Sequence, residues 1–261
     1  MINISEYIKT INNNRKKALS IFLTAGFPTK KEFIELAKNV LDNGADLLEI
    51  GIPFSDPLAD GPIIQASSQI ALENKINIDE IFEMCYELKN YSNKPIILMG
   101  YANPILKYGS EKFCNNAIRS GVSGLIIPDV PYEEYNSFFT NEFLHLQKIL
   151  LTTPTSSNER IKKIDELSEG FVYCVSVTGT TGIRNNFDEN TFKNLERTYS
   201  LIKKNKMMIG FGISNAENVK SLAPYCDGVI VGSAIIKMIL NKKEMSEINS
   251  FISSLNDSCS Y

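Results

Sequence analysis

The sequence has little of several residue types on which other classes of protein depend. Its 261 residues include one histidine, His145, so acid-base chemistry falls mainly to carboxyl groups and tyrosines. The five cysteines are an odd number without C-x-x-C spacing, which indicates neither a disulfide framework nor a zinc site. We therefore expect reduced cysteines, mostly in the core.

Long apolar runs and an excess of positive charge are also missing. The stretch GVIVGSAIIKMIL is too short to span a membrane, and the amino-terminal MINISEYIKTINNNRKK lacks the apolar core of a signal peptide. The net charge of -3 provides no basic surface for nucleic acid or anionic lipid. We expect a soluble protein of the cytoplasm, or of the equivalent compartment of a plastid, that binds neither nucleic acid nor membrane.

Short apolar runs recur along the chain. Eight of them are candidate strands: ALSIFLTAG, DLLEIGI, KPIILMGY, SGLIIPDV, KILLTTP, FVYCVSV, MMIGFGI and DGVIVGSAI. Their near-continuous apolar character predicts strands covered on both faces, as in a parallel sheet. Amphipathic helical patterns lie between them. In TKKEFIELAKNVLDNG, for example, Thr29 is a candidate N-cap and Gly44 stands where a helix would end.

This alternation of strands and helices predicts one α/β domain over residues 1–261. Eight strand-helix units indicate a (β/α)8 TIM barrel, with an extra N-terminal helix in ISEYIKTINNN. The alternative is an open doubly wound sheet. Its first strand-helix turn would be TAGFPTK, which lacks the G-x-G-x-x-G pattern expected there.

The stretch LLEIGIPFSDPLADGP places a carboxyl group near the end of a buried strand. If side chains alternate, Glu49 points into the barrel and Gly51 leaves space above it. Active sites of such barrels lie at the carboxyl ends of the strands, where Asp60 follows in the next loop. The structural alternatives are a buried Glu49 paired with a lysine or tyrosine, and an Asp60 that caps a turn. The two acids together favour a catalytic site.

Glycine and serine follow the last two predicted strands, in GFGIS and GSAI. These residues let backbone N–H groups approach an anion, and barrels commonly bind phosphate at this point. The alternative is a pair of tight turns. Between the sixth strand and its helix, the polar segment VTGTTGIRNNFDEN is either a lid or a disordered connector. His145 lies towards the opposite end of the barrel, so we expect no catalytic role for it.

These motifs support a family resemblance. LEIGIPFSDPLADGPIIQ resembles the signature of the tryptophan synthase alpha chain. LTAGFPT, MGYANPI, IIPDVPYEE, the TGTTG loop, GFGIS and DGVIVGSAI follow in the family's order, so the similarity extends over essentially the whole chain. One departure is Thr180, where many relatives have valine.

The resemblance implies a lyase that cleaves indole-3-glycerol phosphate to indole and glyceraldehyde 3-phosphate, in a reaction that needs no metal or organic cofactor. It implies catalytic roles for Glu49, Asp60 and Tyr173. Substrate contacts are implied for Phe22, Tyr101, Thr181, Gly182, Phe211, Gly212, Ile230, Gly232 and Ser233.

The resemblance also implies a tryptophan synthase beta chain as partner, in an α2β2 heterotetramer. The partner contacts are expected at Pro53, Asp56, Pro57, Asn103 and Pro104. Two other functions stay open from the sequence. One is a free-standing lyase that releases indole, and the other is a catalytically idle subunit that activates a partner.

Overall fold

The computed structural model describes residues 2–176 and 187–260, which contain nine strands paired in parallel. The strands are Ala18–Thr24 (β1), Leu47–Gly51 (β2), Ile96–Met99 (β3), Val122–Ile126 (β4), Gln147–Ile149 (β5), Leu151–Thr152 (β6), Phe171–Val175 (β7), Lys206–Gly210 (β8) and Gly228–Val231 (β9).

Helices lie between and after these strands. The described α-helices are Ile4–Asn13 (α1), Lys30–Asp42 (α2), Pro62–Glu73 (α3), Ile78–Tyr91 (α4), Ala102–Tyr108 (α5), Ser110–Arg119 (α6), Tyr135–Phe138 (α7), Asn158–Leu167 (α8), Glu189–Leu201 (α9), Ala216–Leu222 (α10), Ser233–Leu240 (α11) and Met245–Ser258 (α12). As predicted, Thr29 caps α2, where its hydroxyl accepts a hydrogen bond from the Glu32 N–H. None of the described helices is long and apolar enough to cross a membrane.

The sheet runs in the order β5-β4-β3-β2-β1-β9-β8-β7-β6 and is nearly closed. Its two ends are consecutive in the chain and are separated only by Leu150, whose N–H bonds to the Ser168 hydroxyl at 3.1 Å. The fifth predicted strand is therefore divided, because this residue leaves the regular ladder. The (β/α)8 barrel is confirmed, and the open-sheet alternative is wrong.

Apolar burial on both faces explains the strands. All seven residues of β1 are buried, with β2 and β9 paired on either side and α2, α3 and α11 packed outside. All five cysteines are free and buried, as expected for core residues. His145 is exposed and immediately precedes Leu146 and β5, at the amino ends of the strands.

The additional helix α1 covers that amino end of the barrel. The Ile4 N–H donates to Gln147 Oε1 at 3.0 Å, and the Ile4 side chain lies against Gly124 and Gly170. Both Ile4 and Ile8 are fully buried. Because one end is closed in this way, the carboxyl end is the open face of the barrel.

Candidate active site

Glu49 points into the barrel from β2. Its Oε1 accepts a hydrogen bond from the hydroxyl of Ser20 at 2.8 Å. Ser20 stands two residues before Phe22 on β1, and Phe22 lines the interior cavity, so both face inward. At Gly51, a Cβ atom would lie 2.4 Å from the Phe22 ring. Glycine at this position is what allows the ring to lie across the end of β2.

The Glu49 carboxyl group is fully buried. Among the described residues, Oε2 has no hydrogen-bond partner. Burial raises the pKa of Glu49 to about 7, and the hydrogen bond from Ser20 opposes this rise because it stabilises the charged form. Glu49 can therefore gain and lose a proton near neutral pH, as a proton-transfer group must.

Asp60 lies at the end of the loop after β2, just before Gly61 and Pro62 begin α3. The hydroxyl of Tyr101 donates to Asp60 Oδ2 at 3.0 Å and accepts from the Ala59 N–H at 3.1 Å. Burial raises the pKa of Asp60 to about 6, and the hydrogen bond from Tyr101 lowers it. Asp60 is thus a second carboxyl whose charge changes close to neutral pH.

Tyr173 brings a phenolic hydroxyl to the same end of the barrel, from β7. Burial holds the pKa of Tyr173 well above its ordinary value, and the nearby charges of Glu49 and Asp60 raise it further. The tyrosine is therefore neutral and can donate a hydrogen bond. A Cβ atom at Gly210 would lie 2.1 Å from its hydroxyl oxygen, so glycine there makes room for the phenol.

The turn after β8 has an unusual backbone. Phe211 and Gly212 both lie in the left-handed region, with φ of 72° and 75°. Glycine tolerates that conformation, but phenylalanine rarely adopts it. The Ser176 hydroxyl lies 3.0 Å from the Gly210 carbonyl oxygen and 2.6 Å from that of Phe211, which fixes the turn. The Phe211 ring meets Tyr173 edge-on at 6.0 Å between centroids.

Helix α11 begins at the same cavity. Gly232 is its N-cap and has no side chain to bond to the first-turn N–H groups, and Ser233 follows as the first helical residue. The first N–H groups of a helix lack intrahelical acceptors and carry partial positive charge. Together with Gly212, this helix terminus can hold an anion.

These elements line a cavity that opens to solvent, and the space within it, including solvent at its mouth, is about 450 Å³. It is lined by Phe22, Asp60, Ile64, Met99, Tyr173, Phe211, Gly212, Ile213, Ile230, Gly232 and Ser233. One part of the wall is glycine and serine, and the rest is apolar apart from Asp60 and Tyr173. A ligand with an anionic end and an apolar ring fits such a wall.

Of the predicted catalytic and substrate-contact residues that the structure describes, all but two line this cavity. Glu49 lies behind the wall, and Tyr101 contacts Asp60 without lining the cavity. Thr181 and Gly182 lie outside the described residues, as does most of the predicted lid segment. Of that segment, Glu189 and Asn190 belong to α9.

Sequence reasoning missed three residues of the wall, namely Ile64, Met99 and Ile213. Met99 ends β3, so its position at a strand end was an available signal. Ile64 lies in the first turn of α3, four residues after Asp60, and no sequence pattern distinguishes it from a core residue.

The residues predicted to contact a partner lie beside the cavity. Asp56 and Asn103 are exposed, Pro57 and Pro104 are half-buried, and Pro53 is buried. Leu58, in the same loop as Asp56, is 88% exposed.

Comparisons with known proteins show the family to which the chain belongs. The family model described as "Tryptophan synthase alpha chain" matches residues 8–258. The tryptophan synthase alpha chain of Flavobacterium psychrophilum is 42% identical over 242 residues, which cover 92% of this chain and 95% of that protein. That of Petrotoga mobilis is 40% identical over 261 residues, with 98% and 99% covered.

Solved structures agree. Tryptophan synthase subunit alpha from Legionella pneumophila superposes with a TM-score of 0.87 at 34% identity, covering 99% of this chain and 98% of that one. A chain of tryptophan synthase from Mycobacterium tuberculosis superposes with a TM-score of 0.90 at 26% identity, covering 99% and 98%.

Proposed function

The chain belongs to the tryptophan synthase alpha chain family, the lyase component that cleaves indole-3-glycerol phosphate to indole and glyceraldehyde 3-phosphate, and we propose that Glu49 and Asp60 carry the reaction. One observation carries this assignment. Two carboxyl groups, the fully buried Glu49 and the half-buried Asp60, have pKa values raised to about 7 and about 6 and lie at the carboxyl end of the barrel, where glycine and serine form part of the cavity wall.

The cavity wall orients the substrate in this proposal. The phosphate lies at Gly212, Gly232 and Ser233, where backbone N–H groups and the start of α11 favour negative charge. The indole ring then lies among the apolar residues of the wall, such as Phe22 and Met99. In this orientation the indole N–H lies near Asp60. The bond between indole C3 and the glycerol chain, which breaks in the reaction, lies near β2.

Two proton transfers at Glu49 complete the chemistry. The protonated carboxyl group donates its proton to C3 of the indole ring, and the ring N–H becomes positively charged. Asp60, as a carboxylate, accepts a hydrogen bond from that N–H and stabilises the charge. The Glu49 carboxylate then removes the proton of the hydroxyl on the carbon attached to C3.

Loss of that proton breaks the carbon-carbon bond. The hydroxyl oxygen becomes the aldehyde oxygen of glyceraldehyde 3-phosphate, and the bonding electrons return to the ring and restore neutral indole. Glu49 ends protonated, as it began, so the cycle needs no other proton source. Tyr173 has a neutral hydroxyl near enough to both carboxyl groups to feel their charges. In this proposal, that hydroxyl donates a hydrogen bond to the glycerol side chain of the substrate.

A beta chain is the partner that this family implies, and we place its contact at the rim beside the cavity. The Phe54 and Tyr101 rings pack against each other at a tilt of 34°, with centroids 5.3 Å apart, so the loop after β2 and the start of α5 form one surface. Leu58 in that loop and Leu106 in α5 are 88% and 58% exposed, so both apolar side chains are accessible to a partner. The proposal includes the α2β2 assembly, a single catalytic domain over residues 1–261 and a cytoplasmic location.

An indole-release assay of the purified chain, alone and with a tryptophan synthase beta chain, tests this function. We expect slow release by the isolated chain and a clear increase when the beta chain is added. Full activity without any gain would favour the free-standing lyase. If indole is never released while the beta chain is activated, the chain is an idle subunit.

A further inference from the structure

Asp129, in the motif IIPDVPYEE, joins the turn after β4 to the start of α5. In that turn the Val130 N–H donates to the Ile127 carbonyl oxygen at 3.1 Å. The Asp129 carboxylate accepts the Ala102 N–H, at 3.0 Å from Oδ1 and 3.2 Å from Oδ2. Because Ala102 is the first residue of α5, Asp129 caps a helix that belongs to a different strand-helix unit.

The residue at the N-cap position of α5 is Tyr101, which does not cap the helix itself. Serine, threonine, aspartate and asparagine are preferred there, because a short side chain can accept a first-turn N–H. Among the described residues, the Tyr101 side chain accepts no N–H of α5. Its hydroxyl donates instead to Asp60 Oδ2 at 3.0 Å. Asp129 therefore supplies the cap that a tyrosine directed at Asp60 cannot provide.

Two hydrogen bonds fix the backbone on either side of Tyr101. The Gly100 N–H donates to the Ile126 carbonyl oxygen at the end of β4, at 3.0 Å. The Ala102 N–H donates to Asp129 in the turn that follows β4. Tyr101 lies between them in an extended conformation, with φ of -110° and ψ of 155°. If the second bond is lost, the Tyr101 ring is free to shift relative to the loop after β2.

The charged groups near Asp60 give the two effects of Asp129 opposite signs. Burial raises the pKa of Tyr101, and the charges of Asp60 and Asp129 raise it further. Burial also raises the pKa of Tyr173, together with the charges of Glu49 and Asp60. A nearby negative charge raises the pKa of a carboxyl group, so loss of the Asp129 charge would lower the pKa of Asp60. Loss of the Tyr101 hydrogen bond would raise it.

We propose that Asp129 is a positioning residue, which caps α5 and so holds the Tyr101 hydroxyl on the Asp60 carboxylate. The proposal rests on the proposed function only for the role of Asp60 in catalysis. Asp129 is exposed and stands outside the cavity wall, so it acts through Tyr101 and not on the substrate. Asparagine at this position would keep an acceptor oxygen without the charge, whereas alanine would lose both.

A titration of the unliganded chain tests the proposal without any assay of activity. The carboxyl carbon of Asp60 is followed by NMR in isotope-labelled protein, and its signal is assigned by its loss in Asp60→Asn. In Asp129→Ala, we expect the Asp60 midpoint to rise by about 0.5 pH unit, because the hydrogen bond from Tyr101 is weakened. In Asp129→Asn, the acceptor remains and the midpoint should stay within about 0.2 pH unit of the parent value.

Three results would overturn the proposal. A fall of the Asp60 midpoint in both variants would show that Asp129 acts only by its charge. An unchanged midpoint in Asp129→Ala, or an equal rise in both variants, would show that the cap does not hold Tyr101. Asp129→Gly, which lacks the acceptor and suits a turn, replaces Asp129→Ala if that variant does not fold, with the same expected rise. Because no substrate is used, the result is independent of whether the chain cleaves indole-3-glycerol phosphate.

A second background shows whether Asp129 acts through Tyr101. In Tyr101→Phe the hydroxyl is absent, so adding Asp129→Ala should leave the Asp60 midpoint where Tyr101→Phe alone puts it. Activity should follow the same rule. Below the Asp60 midpoint, Asp129→Ala should lower kcat/KM about threefold in the parent chain, and should not lower it further in Tyr101→Phe. Effects of equal size in both backgrounds would mean that Asp129 influences Asp60 by another route, and would overturn the proposal.

Discussion

The Tyr101 hydroxyl donates a hydrogen bond to Asp60 Oδ2 at 3.0 Å while it accepts one from the Ala59 N–H at 3.1 Å. A single side chain, 5% exposed, thus joins the start of α5 to the loop after β2. The contact fixes the Asp60 carboxylate at the cavity and favours its charged form. It also ties the catalytic loop to the rim where we place the beta chain.

Tyr101→Phe should destabilise the charged form of Asp60. With the donor removed, the pKa of Asp60 rises further above about 6, so the carboxylate is present only at higher pH. We expect the acid limb of the kcat/KM profile to move up by about 0.5 to 1 pH unit, with a larger loss of activity at acid pH than at basic pH. Asp60→Asn is the control, and in that variant the limb itself should disappear. If the acid limb does not move in Tyr101→Phe, the Tyr101 hydroxyl does not control the charge of Asp60 during catalysis.

Gly232→Asp should weaken binding of the phosphate end of the substrate. The variant places a negative charge at the start of α11, where the first-turn N–H groups favour an anion. Gly232→Asn has the same shape without the charge and isolates the electrostatic effect. We expect glycerol phosphate, measured by calorimetry, to bind about a hundredfold more weakly to the Asp variant than to the Asn variant. Similar affinities for the two variants would mean that the phosphate lies elsewhere.

Glu49→Gln should change how stability depends on pH. The pKa of Glu49 is about 7 in the folded protein, above the ordinary value of 4.5, so the folded state binds more protons between these pH values. Unfolding free energy therefore falls as pH rises through this window, and the loss is complete above about pH 7.

Glutamine at position 49 does not titrate, so the variant lacks this fall in unfolding free energy. The difference in unfolding free energy between Glu49→Gln and the parent should shift in favour of the variant by about 3 kcal/mol from about pH 4 to about pH 8. Denaturant unfolding at several pH values measures it. Glu35→Gln, which changes an exposed carboxyl group on α2, provides the baseline. A flat difference would show that the Glu49 carboxyl group is not destabilised by burial.

Leu58→Ser should weaken the complex with the beta chain. Leu58 is 88% exposed beside the cavity, and burying a leucine is worth about 2 kcal/mol, which corresponds to more than tenfold in affinity. Leu144→Ser is the matched control, because Leu144 is 67% exposed but lies near the amino end of β5. Sedimentation of the mixed chains measures both. Equal affinities of the two variants for the beta chain would mean that the beta chain does not bind at this rim.

The sequence predicts much of the fold because burial leaves clear patterns in it. Continuous apolar runs gave the strands, and the N-cap at Thr29 gave the start of α2. The division of the fifth strand at Leu150 was not predictable. It depends on a hydrogen bond that the Leu150 N–H donates to the Ser168 hydroxyl, eighteen residues away, and no local pattern contains such a contact.

The candidate site shows the same limit. Glu49 and Asp60 stand out as carboxyl groups at a strand end, and the side-chain alternation of β2 gave the inward direction of Glu49. The wall residues Ile64 and Ile213 do not stand out, since an apolar side chain beside a substrate looks like one in the core. The hydrogen bond from Ser20 joins two strands, so it appears only once their register is known.

The central claim is that Glu49 transfers protons in the cleavage of indole-3-glycerol phosphate. Indole release by purified Glu49→Gln, in the presence of the beta chain, tests it most directly. Glutamine has nearly the same size as glutamate and cannot exchange the proton, so we expect a folded variant whose turnover is lower by about a thousandfold or more. Turnover within about tenfold of the parent chain, with unchanged circular dichroism, would contradict the claim.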